Sequence, residues 1–156
     1  MSVQPSTLPD EFEELDFSIE DEDWNEYELS DNSRIRSRTI LNKVLRDPNN
    51  PYEIGFRIQP PIYVVYTPQA NRGERNNPPQ PQEYNTLPNY EVRINRNDER
   101  WNRYRILRTG QTVRIRLMVS DIRRITDRFD NDGLPFYLVT STPSILVDPS
   151  SNNIQP

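Results

Sequence analysis

The chain has 156 residues with 19 basic and 24 acidic side chains, a formal net charge of −5, and neither Cys nor His. One domain of ordinary size is expected, and because only 33% of the residues are apolar its core is modest. Disulfides, thiolate nucleophiles, imidazole bases and Cys/His zinc sites are excluded at once. No apolar run approaches the roughly 18 residues that span a bilayer, and the acidic start lacks the basic and apolar regions of a signal peptide. The reading is a soluble protein without a signal peptide and without a membrane partner, intracellular or part of a virion.

The charge is divided unevenly. Twelve of the 24 acids lie between Asp10 and Asp31, and no base precedes Arg34. Residues 34–156 carry all 19 bases and 12 acids, a net +7. Eighteen of those bases are Arg, with Lys43 the single exception. Guanidinium groups suit phosphate and carboxylate partners, although a genomic bias explains the ratio equally well.

Residues 1–33 read as a flexible acidic arm, since so much like charge with few apolar groups does not offset the entropy of ordering. Phe12, Leu15, Phe17, Ile19, Trp24 and Tyr27 are interleaved with the acids. Phe12, Leu15 and Ile19 fall at i, i+3 and i+7, one face of a helix formed on docking, so these six residues are the candidate partner-binding set. A solubilising tail is the plain alternative. The next segment, Asp31 to Arg46, is expected as a helix with Asp31 or Ser33 as N-cap, Ile40, Leu41, Val44 and Leu45 on one face, and Asp47-Pro48 as its stop.

From there the period is two. Tyr52, Ile54, Phe56 and Ile58 form the buried side of a strand, and Ile62 to Tyr66, apolar on both faces, reads as a more deeply buried one. Thr67 to Asn89 is a Pro/Asn-rich loop whose Pro78-Pro79-Gln80-Pro81 tract suits polyproline II. Tyr90, Val92 and Ile94 mark a further strand, and Asn97 to Arg108 a basic connector. Thr112 to Val119 is the clearest strand, with Val113, Ile115, Leu117 and Val119 facing one way and Ile122 and Ile125 extending it through a bend. Asp130-Asn131-Asp132-Gly133 is a hairpin turn, followed by strands Leu134 to Thr140 and Ser144 to Val147.

The expected architecture is therefore mainly β: a small barrel or sandwich of about six short strands, with one N-terminal helix and a disordered acidic N-terminal arm. Its parts are the arm (1–33), a basic mostly-β domain (34–150) with its loop at 67–89, and a polar C-terminal tail (151–156).

No catalytic residue, metal site or cofactor is predicted. Asp127, Asp130 and Asp132 precede Gly133, but Arg128 occupies the first ligand position that an EF-type calcium loop requires, and Val139 stands at its last. The four glycines are scattered, so no phosphate-cradling loop exists. What remains is basic and aromatic together: Arg93, Arg96, Arg100, Trp101, Arg103, Tyr104, Arg105, Arg108, Arg114 and Arg116. Guanidinium groups neutralise phosphates and aromatic faces stack bases, the chemistry of single-strand binding.

Two functions follow. The first is a non-enzymatic nucleic-acid-binding module, single strands favoured, whose acidic arm autoinhibits or recruits a partner. The second is a structural or adaptor protein of a viral or cellular assembly, with arms and loop docked on neighbouring subunits in a homo-oligomer or on a protein partner.

Overall fold

The computed structural model describes residues 12–74 and 77–149. Residues 1–11 of the arm, two residues of the loop, residue 150 and the 151–156 tail lie outside the described residues. The strands are β1 (Glu13–Leu15), β2 (Phe17–Asp21), β3 (Asn25–Leu29), β4 (Arg34–Arg38), β5 (Leu41–Asp47), β6 (Asn50–Ile58), β7 (Ile62–Tyr66), β8 (Asn89–Glu91), β9 (Ile94–Asp98), β10 (Asn102–Ile106), β11 (Thr112–Phe129) and β12 (Pro135–Asp148). Two 3-10 turns, Gln69–Asn71 and Pro81–Glu83, interrupt the loop. Among the described residues no helix is long and apolar enough to cross a membrane.

The mainly β expectation holds, but no barrel closes. The strands form three sheets: a short sheet ordered β1-β5-β6, a central sheet ordered β12-β11-β10-β2 with β8 beside β11, and a third sheet ordered β7-β4-β3-β9. The 18-residue strand β11 carries the arrangement. Its buried residues alternate from Val113 to Val119, and a register shift between Val119 and Asp121 then resets the alternation so that Ile122 is also buried. This bulge thus keeps the strand facing the interior from Val113 to Ile122.

That interior has two parts. The short sheet packs on the proximal half of the central sheet, joining Leu15, Leu41 and Val44 to Tyr104, Ile106, Val113 and Ile115. The third sheet packs on the distal half, joining Tyr27, Leu29 and Ile35 to Val119 and Ile122, with Tyr137 and Val139 packed against them. Each such large side chain removed from water contributes roughly 1.5–3 kcal/mol. The midpoint is polar: Asn25 donates through Nδ2 to the Leu117 carbonyl at 3.1 Å, and buried Asn102 donates to the Thr39 carbonyl at 2.9 Å.

Several expectations are corrected. The segment 31–46 is not a helix but strands β4 and β5. Ile35, Ser37, Thr39 and Leu41 are buried at period two, whereas Arg34 and Arg36 are exposed. The helix-like spacing of Leu41 and Val44 arises from a register shift between Leu41 and Lys43, which places residues three apart in the same core.

The acidic segment is not a free arm where it is described. From Glu13 to Leu29 it forms β1, β2 and β3, and Leu15, Tyr27 and Leu29 are buried. The basic connector contains β10, with Asn102, Tyr104 and Ile106 inward. Tyr52 is not on a buried face but 94% exposed. The strand Ile62 to Tyr66 is an edge strand whose Ile62, Val64 and Tyr66 reach solvent. The expected strand over 90–94 is two strands in different sheets, and the two expected after the hairpin are the single strand β12.

The hairpin turn is as expected. Asp130 Oδ1 accepts from the amides of Asp132 and Leu134 at 2.8 and 2.9 Å, and Gly133 adopts φ 79°. The Gly133 carbonyl accepts from the Gly73 amide at 2.9 Å, which leaves no room for a Cβ at position 133.

Candidate functional site

The ten residues of the expected nucleic-acid site do not converge. Tyr104 is wholly buried, with its ring edge-on to Phe17 at 5.7 Å, so it has no face to offer a base. Arg93 and Arg96 lie at the third sheet, around β9, away from the rest. Trp101, Arg103, Arg114 and Arg116 are brought together on the outer face of the central sheet, where Arg103 stands opposite Arg114 in the β10–β11 register. There the Trp101 ring is already stacked, with the Arg116 and Arg114 guanidinium carbons 4.7 and 5.1 Å from its centroid. Asp148 holds Arg114 in a two-pronged bond at 2.8 and 3.2 Å.

The other arginines meet acids of the N-terminal strands. Arg105 donates to Glu20 at 3.2 Å, and Arg108 donates to Glu13, which also takes Arg46 at 2.8 Å. The Glu13 carboxyl is held below its ordinary value, chiefly by the hydrogen bond from Arg46 and then by Arg108. Arg100 lies 3.3 Å from Asp98 and 3.9 Å from Asp23. Arg38 donates to Glu22 at 2.7 Å while stacking over Trp24 at 5.6 Å. Of the twelve ion pairs among the described residues, eight use a carboxylate between Glu13 and Asp31. Much of the charge that the sequence separates is thus paired within one chain.

The expected partner-binding residues are scattered in the same way. Leu15 and Tyr27 are core residues, Phe12, Phe17 and Trp24 are half-buried, and Ile19 is 61% exposed. They form no single helical face, because β1 and β2 are extended and belong to different sheets.

Two polar centres tie the strands together. Tyr104 donates to Glu22 Oε2 at 2.6 Å, and Tyr27 donates to Glu99 Oε2 at 2.7 Å. Asp31 gathers more: it accepts from Tyr137 at 2.6 Å, from the Ser33 amide at 3.0 Å and from Ser33 Oγ, with Arg124 at 3.4 Å. Burial, reinforced by these carboxylates, raises the hydroxyl pKa of Tyr27, Tyr104 and Tyr137 well above the ordinary tyrosine range. An alkaline titration followed by tyrosinate absorbance is therefore expected to stop short of full amplitude while the fold lasts. Full, reversible ionisation with the strand signal intact would contradict these bonds.

The surface that sequence reasoning missed lies on the strand edges. A groove of about 690 Å³ opens between β7 and the distal part of β12, with Tyr63, Val65, Tyr137 and Val139 among its lining residues. Tyr63 and Ser141 hydroxyls, 2.6 Å apart, bridge the two edges. The available signal was a gap in charge: residues 58–71 and 133–147 contain no ionisable acid or base other than tyrosine.

The fold and its surfaces define a mainly β protein built on one shared central sheet. No protein-family model, curated protein or solved structure matches the chain.

Proposed function

We propose that this protein is a non-enzymatic structural or adaptor module that acts through protein–protein contact, as part of a virion or of a cellular assembly. The observation that carries this reading is the pairing of ten arginines with carboxylates of the same chain, Arg100, Arg105, Arg108 and Arg114 of the expected site among them. A phosphate backbone arriving at Arg105, Arg108 or Arg114 would have to displace Glu20, Glu13 or Asp148. The affinity of such binders comes largely from unopposed cations releasing counterions, and these cations are opposed already. Exposed apolar groups, by contrast, are concentrated on β7, where Ile62, Val64 and Tyr66 share one face.

Single-stranded nucleic acid is the second reading, favoured by the placement of Trp101, Arg103, Arg114 and Arg116 on one face. A fluorescence anisotropy titration of a labelled single-stranded oligonucleotide with the full chain, at about 50 and 200 mM salt, separates the two. The expected result is no saturable binding at the higher salt. Tight, salt-sensitive binding that disappears when Arg103 and Arg116 are both changed to Ala would move the function to nucleic acid.

A further inference from the structure

Among the described residues the three sheets present seven edge strands: β1 and β6, β2 and β12, β7 and β9, and the short β8, which pairs only with β11. An exposed edge offers unpaired backbone donors and acceptors to any other strand, and proteins commonly guard such edges with charge. Five of the seven are guarded in that way: Glu13 and Glu14 on β1, Glu20 and Asp21 on β2, Glu53 and Arg57 on β6, Glu91 on β8, and Arg96 and Asp98 on β9. The two without charge until Asp148 are β7 and β12, and they border the same groove. Asp121 and Arg123, the only charged residues lining that groove among the described residues, pair with each other at 3.1 Å. It therefore presents no net charge, in a chain of which 28% is charged.

We infer that the free edge of β12 is the docking surface for β12 of a second copy of this chain, joined antiparallel across a two-fold axis. This rests on the protein-contact reading above and names the partner. The occupant must be an extended, uncharged strand, since nothing in the groove would compensate a buried charge. The chain supplies one itself.

Prolines fix the register. Pro135 and Pro143 lack an amide donor and bracket seven residues, Phe136 to Thr142, each with a complete backbone pair. Their centre is Val139. A two-fold axis there sets Val139 against its own copy, Leu138 against the partner's Thr140, and Phe136 against the partner's Thr142. Aromatic and β-branched residues are favourable cross-strand neighbours. With the axis perpendicular to the sheet, the inner face of one copy continues into the inner face of the other, and the groove beside Tyr63 and Val65 is closed over. The contact is isologous and ends with two copies on that edge.

The test uses the full chain, freed of nucleic acid, in sedimentation velocity from about 1 μM to about 1 mM, a range that registers even weak pairing. A sedimentation coefficient that rises from the monomer to the dimer value is expected. The change Thr140→Lys together with Thr142→Lys, at two exposed positions, puts lysines on the edge and is expected to weaken the dimer about tenfold or more, with the strand signal and melting temperature retained. The register is read by Val139→Cys in a protein that has no other cysteine. Opposed antiparallel residues lie within disulfide reach, so this variant is expected to form a covalent dimer on mild oxidation. Thr142→Cys, six residues out of register with its own copy, is expected to form no covalent dimer under the same conditions.

A monomer across the whole concentration range overturns the inference, as does a dimer indifferent to both lysines or one joined by Thr142→Cys and not by Val139→Cys. A monomer that also ignores the oligonucleotide removes self-pairing alone, and a foreign extended segment then becomes the occupant. A chain that binds the oligonucleotide tightly removes the protein-contact reading itself.

Discussion

Removal of residues 1–33 is expected to unfold the protein rather than release a basic domain. The segment supplies β1, β2 and β3, which pair with β5, with β10, and with β4 and β9. It also supplies Leu15, Tyr27 and Leu29, each no more than 3% exposed, to the two cores. Three such side chains at roughly 1.5–3 kcal/mol each amount to about 5–9 kcal/mol, comparable to the whole net stability of an ordinary domain. The bases left behind, seven arginines and Lys43, would lose eight ion pairs as well. Far-UV circular dichroism and amide exchange on residues 34–156 check this directly. A truncated chain with native strand signal and a cooperative melt would show that the acidic segment is an appendage after all.

The second large effect is expected at Asp31. Its carboxylate and Arg124 are 12% and 14% exposed, and the Arg124 Nη2 also donates to the Asn71 carbonyl at 3.0 Å. Asn71 Nδ2 in turn donates to the Asp31 carbonyl at 2.7 Å. The turn between β3 and β4, the start of the long loop, and both arms of the β11–β12 hairpin thus meet at one acid. Asp31→Ala leaves Arg124 without its carboxylate and Tyr137 without an acceptor, at an expected cost of about 3–5 kcal/mol in urea unfolding. Tyr137→Phe, which removes one donor, should cost about 1 kcal/mol. If Asp31→Ala proves no more costly than Tyr137→Phe, the cluster is not what holds these elements together.

The same acid sets a pH dependence. Burial by itself would raise the Asp31 pKa, but hydrogen bonds from the Ser33 side chain, from Tyr137 and from the Ser33 amide, with the Arg124 charge, outweigh it and hold the carboxyl below its ordinary 3.8. A carboxyl depressed in the folded state takes up its proton first in the unfolded chain. Its stabilisation is therefore complete above the ordinary value and is lost as pH falls through 3.8 toward the folded value. Asp31→Asn should be less stable at neutral pH and should show a shallower loss of stability in acid. An identical acid slope in the two proteins would refute the assignment.

How much of this could be read beforehand depends on where charge and periodicity agree. Thr112 to Val119 and Ile54 to Ile58 show period two in plain form, and the Asp130–Gly133 turn has an unambiguous composition, so these were legible, although Tyr52 at the start of the second run is exposed. Asn25, Tyr27 and Leu29 alternate just as cleanly with Glu26 and Glu28, yet the density of acid there argues for disorder until partners are known. Those partners are remote: Arg105 and Arg108 lie 85 and 95 residues from Glu20 and Glu13. Composition identifies an arginine-rich half but does not say that its counterions come from the same chain. In β5 the bulge gives the inward residues a helix-like spacing, and in β10 the inward Asn102 hides the alternation because a buried amide looks like surface in a sequence. The uncharged edges were visible as gaps in charge, but the meeting of both at one groove requires the sheet order.

The pairing of β2 with β10 also sets an order of events during synthesis. Strand β2 leaves the ribosome about 85 residues before its partner, the separation of Glu20 and Arg105. At roughly 5–20 residues per second that is a wait of about 4–17 seconds. For that interval Phe17 and Ile19 have no sheet to join, and the neighbouring Glu and Asp side chains keep the nascent segments of adjacent ribosomes apart by repulsion. The acidity that pairs with arginine in the finished protein thus first serves as its own solubiliser, until Arg105 and Arg108 arrive.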